Sequence, residues 1–180
     1  MTDTDPIPRV SWWQIIAIGR NPKTTFIRLL ITAVLVYWGF KSAILPISVS
    51  GISMQPTYRD GKRLFINKLA YKLDLPQRGD VVAIHEAGDR LYLLKRIIGL
   101  PGERLRIMRG TVYIDDEPLL ESYLLPPTNG VVNPAPWELD EVRIRGDELF
   151  VIGDNRSMGK TDHYFGRVNS SRIAGRLIKP

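Results

Sequence analysis

The sequence predicts a mostly-β domain preceded by one apolar helix, and three observations carry that prediction. Near the N-terminus an apolar run has Lys41 as its only charge between Leu29 and Ile47. After residue 62, short runs rich in β-branched and aromatic residues recur with turn residues between them. Helical periodicity is almost absent from that region. A chain of 180 residues holds one core with at most a small extension. The expected organisation is a cytoplasmic N-terminal segment at 1–24, a transmembrane helix at 25–47 and an extracytoplasmic domain at 48–180.

In chain order, the first element is the aromatic patch Val10–Ile18, whose paired Trp12 and Trp13 suit a membrane interface or a short helix. Arg20-Asn21-Pro22-Lys23 breaks any helix before the apolar run. From Leu29 to Ile47, nineteen residues span about 28 Å at the helical rise, close to a bilayer's hydrocarbon thickness. A buried core helix and a cleaved signal peptide are the competing readings. No small-residue cleavage site follows, and Arg28 sits late for a leader. Lys41 can snorkel from the outer end. Arg9, Arg20, Lys23 and Arg28 precede the run, which predicts a cytoplasmic N-terminus and a single pass of the plasma membrane, with residues 46–180 on the outer face.

Eight strands are predicted beyond the run: 63–67, 80–87, 91–98, 103–108, 111–114, 142–144, 148–152 and one near 172–178. Arg109-Gly110 fits a tight hairpin turn, and Asp115-Asp116 a second turn. The stretch from Leu124 to Pro136, with four prolines, reads as an exposed loop.

Bulk chemistry removes several function classes. The net charge of +6 and pI near 9.7 come from scattered basic residues with no run of five, which fits anionic lipid head groups and gives nucleic acid little support. Absent cysteine excludes disulfides and thiol catalysis. No metal-ligand spacing occurs, and no cofactor or metal is expected. Nothing in the sequence speaks to oligomeric state.

One serine stands in an unusual setting. In Ser50-Gly51-Ile52-Ser53-Met54-Gln55-Pro56-Thr57 a glycine and a proline punctuate the backbone on either side of Ser53. A strand end that turns sharply there exposes the hydroxyl. Serine needs a base to become a nucleophile. The Gly-x-Ser-x-Gly elbow is missing, and His85 and His163, the two histidines, read as surface or structural residues. The other known base is a lysine kept neutral by burial. Lys95 shares one alternation face of Leu91–Ile98 with Leu91, Leu93 and Ile97, while Arg96 lies on the other face and is expected to point outward. Holding the Lys95 amine neutral near pH 8 requires about 3 kcal/mol of desolvation and nearby charge.

Four segments in order, Gly51–Thr57, Arg78-Gly79-Asp80-Val81-Val82, Lys95–Gly102 and Gly153-Asp154-Asn155-Arg156, resemble the successive boxes of bacterial type I signal peptidase. With the apolar run, the resemblance covers the chain from about Phe26 onward. It implies a signal-peptidase/LexA-like β-fold catalytic domain with one N-terminal transmembrane helix. It also implies a membrane-bound serine endopeptidase with a Ser-Lys dyad, which releases signal peptides from secreted preproteins after small residues. Ser53 falls on the family's nucleophile and Lys95 on its general base. The backbone N–H of Ser53 is the expected oxyanion donor, and Asp154 with Arg156 is expected as a structural pair behind the site. The expected partners are preproteins and the lipid bilayer, without nucleic acid. Met54 is a candidate for the wall of the substrate pocket.

The match departs from the pattern in places. The family's lysine-orienting serine falls on Gly159, its aspartate on Thr161 and its arginine on His163, leaving Ser157, Thr161 or water to orient Lys95. Gly51 stands where some members carry an oxyanion-stabilising serine. Alternative readings are a specialised maturation peptidase of the same family, a self-cleaving repressor, and a catalytically impaired membrane-anchored interaction protein. The apolar span speaks against the second, and intact Ser53 and Lys95 against the third.

Overall fold

The computed structural model describes residues 22–85, 92–124, 137–159 and 166–179. The aromatic patch at 10–18, most of the Pro-rich stretch, Thr161 and His163 lie outside the described residues. The chain divides into two units, Met1–Ser42 and Ala43–Pro180.

The described part of the first unit is all but the last residue of helix α1, Pro22–Ala43. Proline suits its first position, since the N–H it lacks has no intrahelical partner there. Residues Lys23–Ala43 form the one helix among the described residues that is long and apolar enough to cross a membrane. Its large side chains, among them Phe26, Leu35, Trp38 and Phe40, are exposed. The Lys41 amine lies 5.6 Å from the Trp38 ring centroid, a cation–π contact.

The helix stops earlier than the sequence suggested. Ile44–Ser48 is strand β1, not the last turn of a helix reaching Ile47. Pro46 is the physical reason: inside a helix it removes a hydrogen bond and clashes with the preceding turn, whereas an edge strand tolerates it. Strand β1 is such an edge, antiparallel to β2 (Arg63–Asn67), with Pro46 opposite Phe65.

The second unit is built from two sheets. The remaining strands are β3 (Val81–His85), β4 (Tyr92–Gly99), β5 (Arg104–Met108), β6 (Thr111–Ile114), β7 (Glu117–Pro118), β8 (Leu139–Arg143), β9 (Glu148–Ile152), β10 (Gly166–Asn169) and β11 (Ile173–Leu177). The larger sheet runs β1-β2-β11-β3-β4-β9-β10 and the smaller β7-β6-β5-β8. A single helical turn, α2 (Ala70–Leu73), follows β2. All eight predicted strands are present with small shifts at their ends, and the predicted turns form with Arg109, Gly110, Asp115 and Asp116 at positive φ. The three unpredicted strands are β1, β7 and β10.

Every pairing is antiparallel, and three apolar clusters fill the unit. Met54, Tyr58, Leu64, Ile66, Val81 and Leu94 form one. Ile98, Phe150 and Ile152 of the larger sheet meet Leu105, Ile107 and Val112 of the smaller in a second. Val82, Ile84, Ile97, Leu149 and Val151 form the third. Close approach of β11 to β2 requires Gly175, because a Cβ there would stand 2.3 Å from the Asn67 carbonyl oxygen.

Candidate active site

The serine segment is a sharp turn, as its glycine and proline suggest. Gly51 has φ +92° and donates its N–H to Asp60 Oδ1 at 2.8 Å. Beyond it, the Gln55 N–H donates to the Ile52 carbonyl at 3.0 Å and the Tyr58 N–H to the Met54 carbonyl at 2.9 Å. Met54 and Tyr58 are anchored in the apolar core, so the turn is pinned on its C-terminal side while Ser53 stays partly accessible. Met54 is only 1 % exposed, which makes it packing beneath the turn.

Lys95 sits in the middle of β4, opposite Val82 of β3. Strand alternation gives it the face of Leu93 and Ile97, and across the neighbouring strands that face carries Val82, Ile84 and Val151 of the third apolar cluster. It is 2 % exposed. Desolvation there lowers its pKa from 10.5 to about 8, because an apolar surrounding penalises the ammonium and not the amine.

Arg96 corrects an expectation. It lies on the opposite face from Lys95, but it does not point into solvent: it is 8 % exposed. Its Nε donates to Asp154 Oδ1 at 2.8 Å and its Nη2 to Oδ2 at 2.6 Å, a bidentate pair. Its Nη1 donates to the Gly79 carbonyl at 2.8 Å, and the Tyr123 ring lies 4.0 Å from the guanidinium. Burial works against the charged form, yet the hydrogen bonds and charge of Asp154 raise the Arg96 pKa above its ordinary value. Burial also raises the pKa of Tyr58, which keeps its phenol protonated beside this pair.

Asp154 and Arg156 are therefore both structural, but not as a pair with each other. Asp154 holds Arg96, while Arg156 forms a bidentate salt bridge with Glu121. Glu121 also accepts from the Tyr123 hydroxyl. Burial and the Glu121 charge raise the Tyr123 pKa, so that phenol stays a donor. A continuous chain of contacts thus runs Asp154–Arg96–Tyr123–Glu121–Arg156. Sequence reasoning missed Glu121 and Tyr123 because they follow the two-residue strand β7 in a stretch without periodicity.

Asn155, also missed, joins the serine turn to this framework. Its N–H donates to the Ser53 carbonyl at 2.9 Å, and its Nδ2 donates to the Ile52 carbonyl at 3.0 Å. One residue away, Asp154 grips Arg96, the chain neighbour of Lys95. The predicted nucleophile and base are thus tied to one another through two adjacent pairs, Lys95–Arg96 and Asp154–Asn155.

The remaining sequence candidates fall as follows. Ser157 gives its hydroxyl hydrogen bond to Asn155 Oδ1, at 2.5 Å, in place of the expected orientation of Lys95. His85 ends β3 and packs edge-on against Tyr92, with centroids 5.3 Å apart. Among the described residues no group of acidic and histidine side chains is placed to hold a metal ion. A cavity of about 660 Å³ bordered by Tyr58, Asp80, Arg96 and Arg176 lies beside Arg96 and includes neither Ser53 nor Lys95.

The sequence profile of the family described as "Signal peptidase, peptidase S26" matches residues 23–179. A probable signal peptidase I-2 of Synechocystis sp. is 33% identical over 168 residues, covering 87% of this chain and 73% of the relative. A signal peptidase I of Bacillus caldolyticus is 32% identical over 136 residues, covering 72% of this chain and 74% of the relative. A crystal structure of a signal peptidase I from Enterococcus faecalis V583 overlaps 58% of this chain and 98% of its own, at 28% identity and TM-score 0.49. The class so defined is a hydrolase, a serine peptidase. Within that class the chain belongs to the signal peptidase family, peptidase S26.

Proposed function

We propose that this chain is a membrane-anchored endopeptidase that removes signal peptides from secreted preproteins by a Ser53–Lys95 dyad. The observation that carries the reading is Lys95: a lysine 2 % exposed on an apolar strand face, with its pKa lowered to about 8. Such a lysine is costly to a fold unless it is used as a base.

The chemistry follows from the two groups. Lys95, neutral at rest, takes the Ser53 proton as the hydroxyl oxygen attacks the scissile carbonyl carbon. The negative oxygen that develops is met by the Ser53 backbone N–H. As the carbon–nitrogen bond breaks, the Lys95 ammonium returns the proton to the leaving amine. Water, deprotonated by Lys95 in turn, then releases the acyl group. Helix α1 supports a single membrane anchor. The basic residues ahead of α1, Arg9 and Arg20, and those in its first two turns, Lys23 and Arg28, favour a cytoplasmic N-terminus with Ala43–Pro180 on the outer face. Ser53 comes ten residues after Ala43, the last of α1, which suits a nucleophile working close to the bilayer. A preference for small residues before the cut comes from the family.

The test is cleavage of a model preprotein in detergent by the intact chain, by Ser53→Ala and by Lys95→Ala. The intact chain is expected to cut after a small residue, and each variant to lose that cut. Cleavage by either variant at the intact rate would remove its residue from the mechanism. An inert intact chain would leave a membrane-anchored interaction protein as the better reading.

A further inference from the structure

We propose that Asn155 is a positioning residue for the oxyanion-binding N–H of Ser53, an inference that rests on the dyad reading above. The argument starts from the peptide unit between Ile52 and Ser53. It is planar, and in a trans unit the carbonyl and the N–H point in opposite directions. Its oxygen is the Ile52 carbonyl and its hydrogen is the Ser53 N–H, so whatever holds the first aims the second.

Two donors hold that oxygen. Asn155 Nδ2 reaches it at 3.0 Å and the Gln55 N–H at 3.0 Å. The Asn155 backbone N–H also fixes the next carbonyl, that of Ser53, at 2.9 Å. One residue thereby grips the peptides on both sides of the nucleophile. The grip has an electronic effect as well. Donors on a carbonyl draw density through the amide and strengthen its N–H, by about 10–30% per bond in hydrogen-bonded chains.

Asn155 is itself held in the orientation this requires. Its Oδ1 accepts from the Ser157 N–H at 3.2 Å and from the Ser157 hydroxyl at 2.5 Å, so the NH₂ end is the one that meets Ile52. Its chain neighbour Asp154 is locked on Arg96, which ties the aim of the Ser53 N–H to the strand that carries Lys95. Gly51 contributes no hydroxyl to the same oxyanion. Misaligning this N–H therefore has no side-chain compensation from position 51.

The decisive comparison is Asn155→Asp against the intact chain in detergent, with Asn155→Ala and Ser53→Ala alongside. Aspartate keeps the size, the backbone N–H bond and the acceptor for Ser157, but turns an oxygen toward the Ile52 carbonyl. Deleting an oxyanion donor outright costs 10²–10³ in kcat, so misaiming one is expected to cost roughly 10–100-fold. KM is expected to stay within about twofold, because ground-state binding does not use the oxyanion. The rise of activity near pH 8 stays in place, since Lys95 is untouched.

A peptide aldehyde separates aiming from general damage. The Ser53 oxygen adds to its carbonyl carbon and the hydroxyl proton passes to Lys95, leaving an oxyanion on the adduct. Affinity for the aldehyde is expected to fall by the same factor as kcat, while affinity for the cleaved product peptide is unchanged. Unaltered kcat in both Asn155 variants would overturn the proposal, and so would a parallel loss of aldehyde and product binding. Full cleavage by Ser53→Ala would instead overturn the dyad reading, and this proposal with it.

Discussion

At the scale of single residues, the neutral form of Lys95 favours stability and, on the proposed mechanism, activity as well. Its amine titrates near 10.5 when solvated and at about 8 in the fold. Activity that needs the neutral amine is expected to rise with pH and to level off above about 8, in a profile of kcat/KM. Stability follows from proton counts. Between pH 8 and 10.5 the unfolded chain holds a proton that the folded chain lacks, so stability increases with pH across that window. Below pH 8 the fold carries the whole penalty, about 3 kcal/mol. Lys95→Met is therefore expected to raise the melting temperature, most at pH 7 and least near pH 10. A gain of the same size at both pH values would show that burial of the charge is not its source.

At the scale of elements, the Arg96–Asp154 pair joins β4 to the end of β9. Both side chains are excluded from water, at 9% and 1% exposure. Removing one partner leaves an uncompensated buried charge, so Asp154→Ala is expected to cost about 3–5 kcal/mol in denaturant unfolding. Replacing both, Arg96→Met with Asp154→Leu, is expected to recover most of that loss. A double variant as unstable as the single one would show that shape, not charge, is what the pair supplies.

The same elements show what a sequence gives away. The strands from 63 to 114 were legible because alternation and turn residues agree, and Arg109-Gly110 and Asp115-Asp116 formed the turns their chemistry favours. Ser53 and Lys95 were legible as an odd serine and an odd lysine. Strand β1 was hidden because apolar β-branched residues continue straight out of a helix, and Pro46 was the one signal that could have found it. The burial of Arg96 was hidden for another reason. Alternation tells which face a residue takes, but only tertiary packing decides whether that face is covered, here by Tyr58, Tyr123 and Asp154. Asn155 stood inside the Gly153–Arg156 box, but its role was hidden because the carbonyls it holds, those of Ile52 and Ser53, stand about a hundred positions away.

At the scale of the whole molecule, the three apolar clusters all lie within Ala43–Pro180. The large side chains of α1 are exposed and add nothing to them. A chain beginning at Ala43 is therefore expected to unfold in one cooperative step, with a melting temperature within a few degrees of the full chain in the same detergent. A fall beyond about 8 °C, roughly 2 kcal/mol for a domain of this size, would assign α1 a share in the core. In membrane extraction with alkaline carbonate, the full chain is expected to stay in the pellet and the shortened one to leave it.

Strand β4 places two cations side by side in its sequence and on opposite faces in space, one to be discharged and one to be neutralised. A slip of a single residue in its pairing exchanges the faces. Arg96, which cannot lose its proton, would then meet Val82, Ile84 and Val151, and Lys95 would face the Asp154 carboxylate, which holds it charged. The mispaired sheet would contain a naked guanidinium and a disabled base. The two cations of β4 thus also proofread the fold: a chain assembled out of register is penalised before it can become a stable, inactive product.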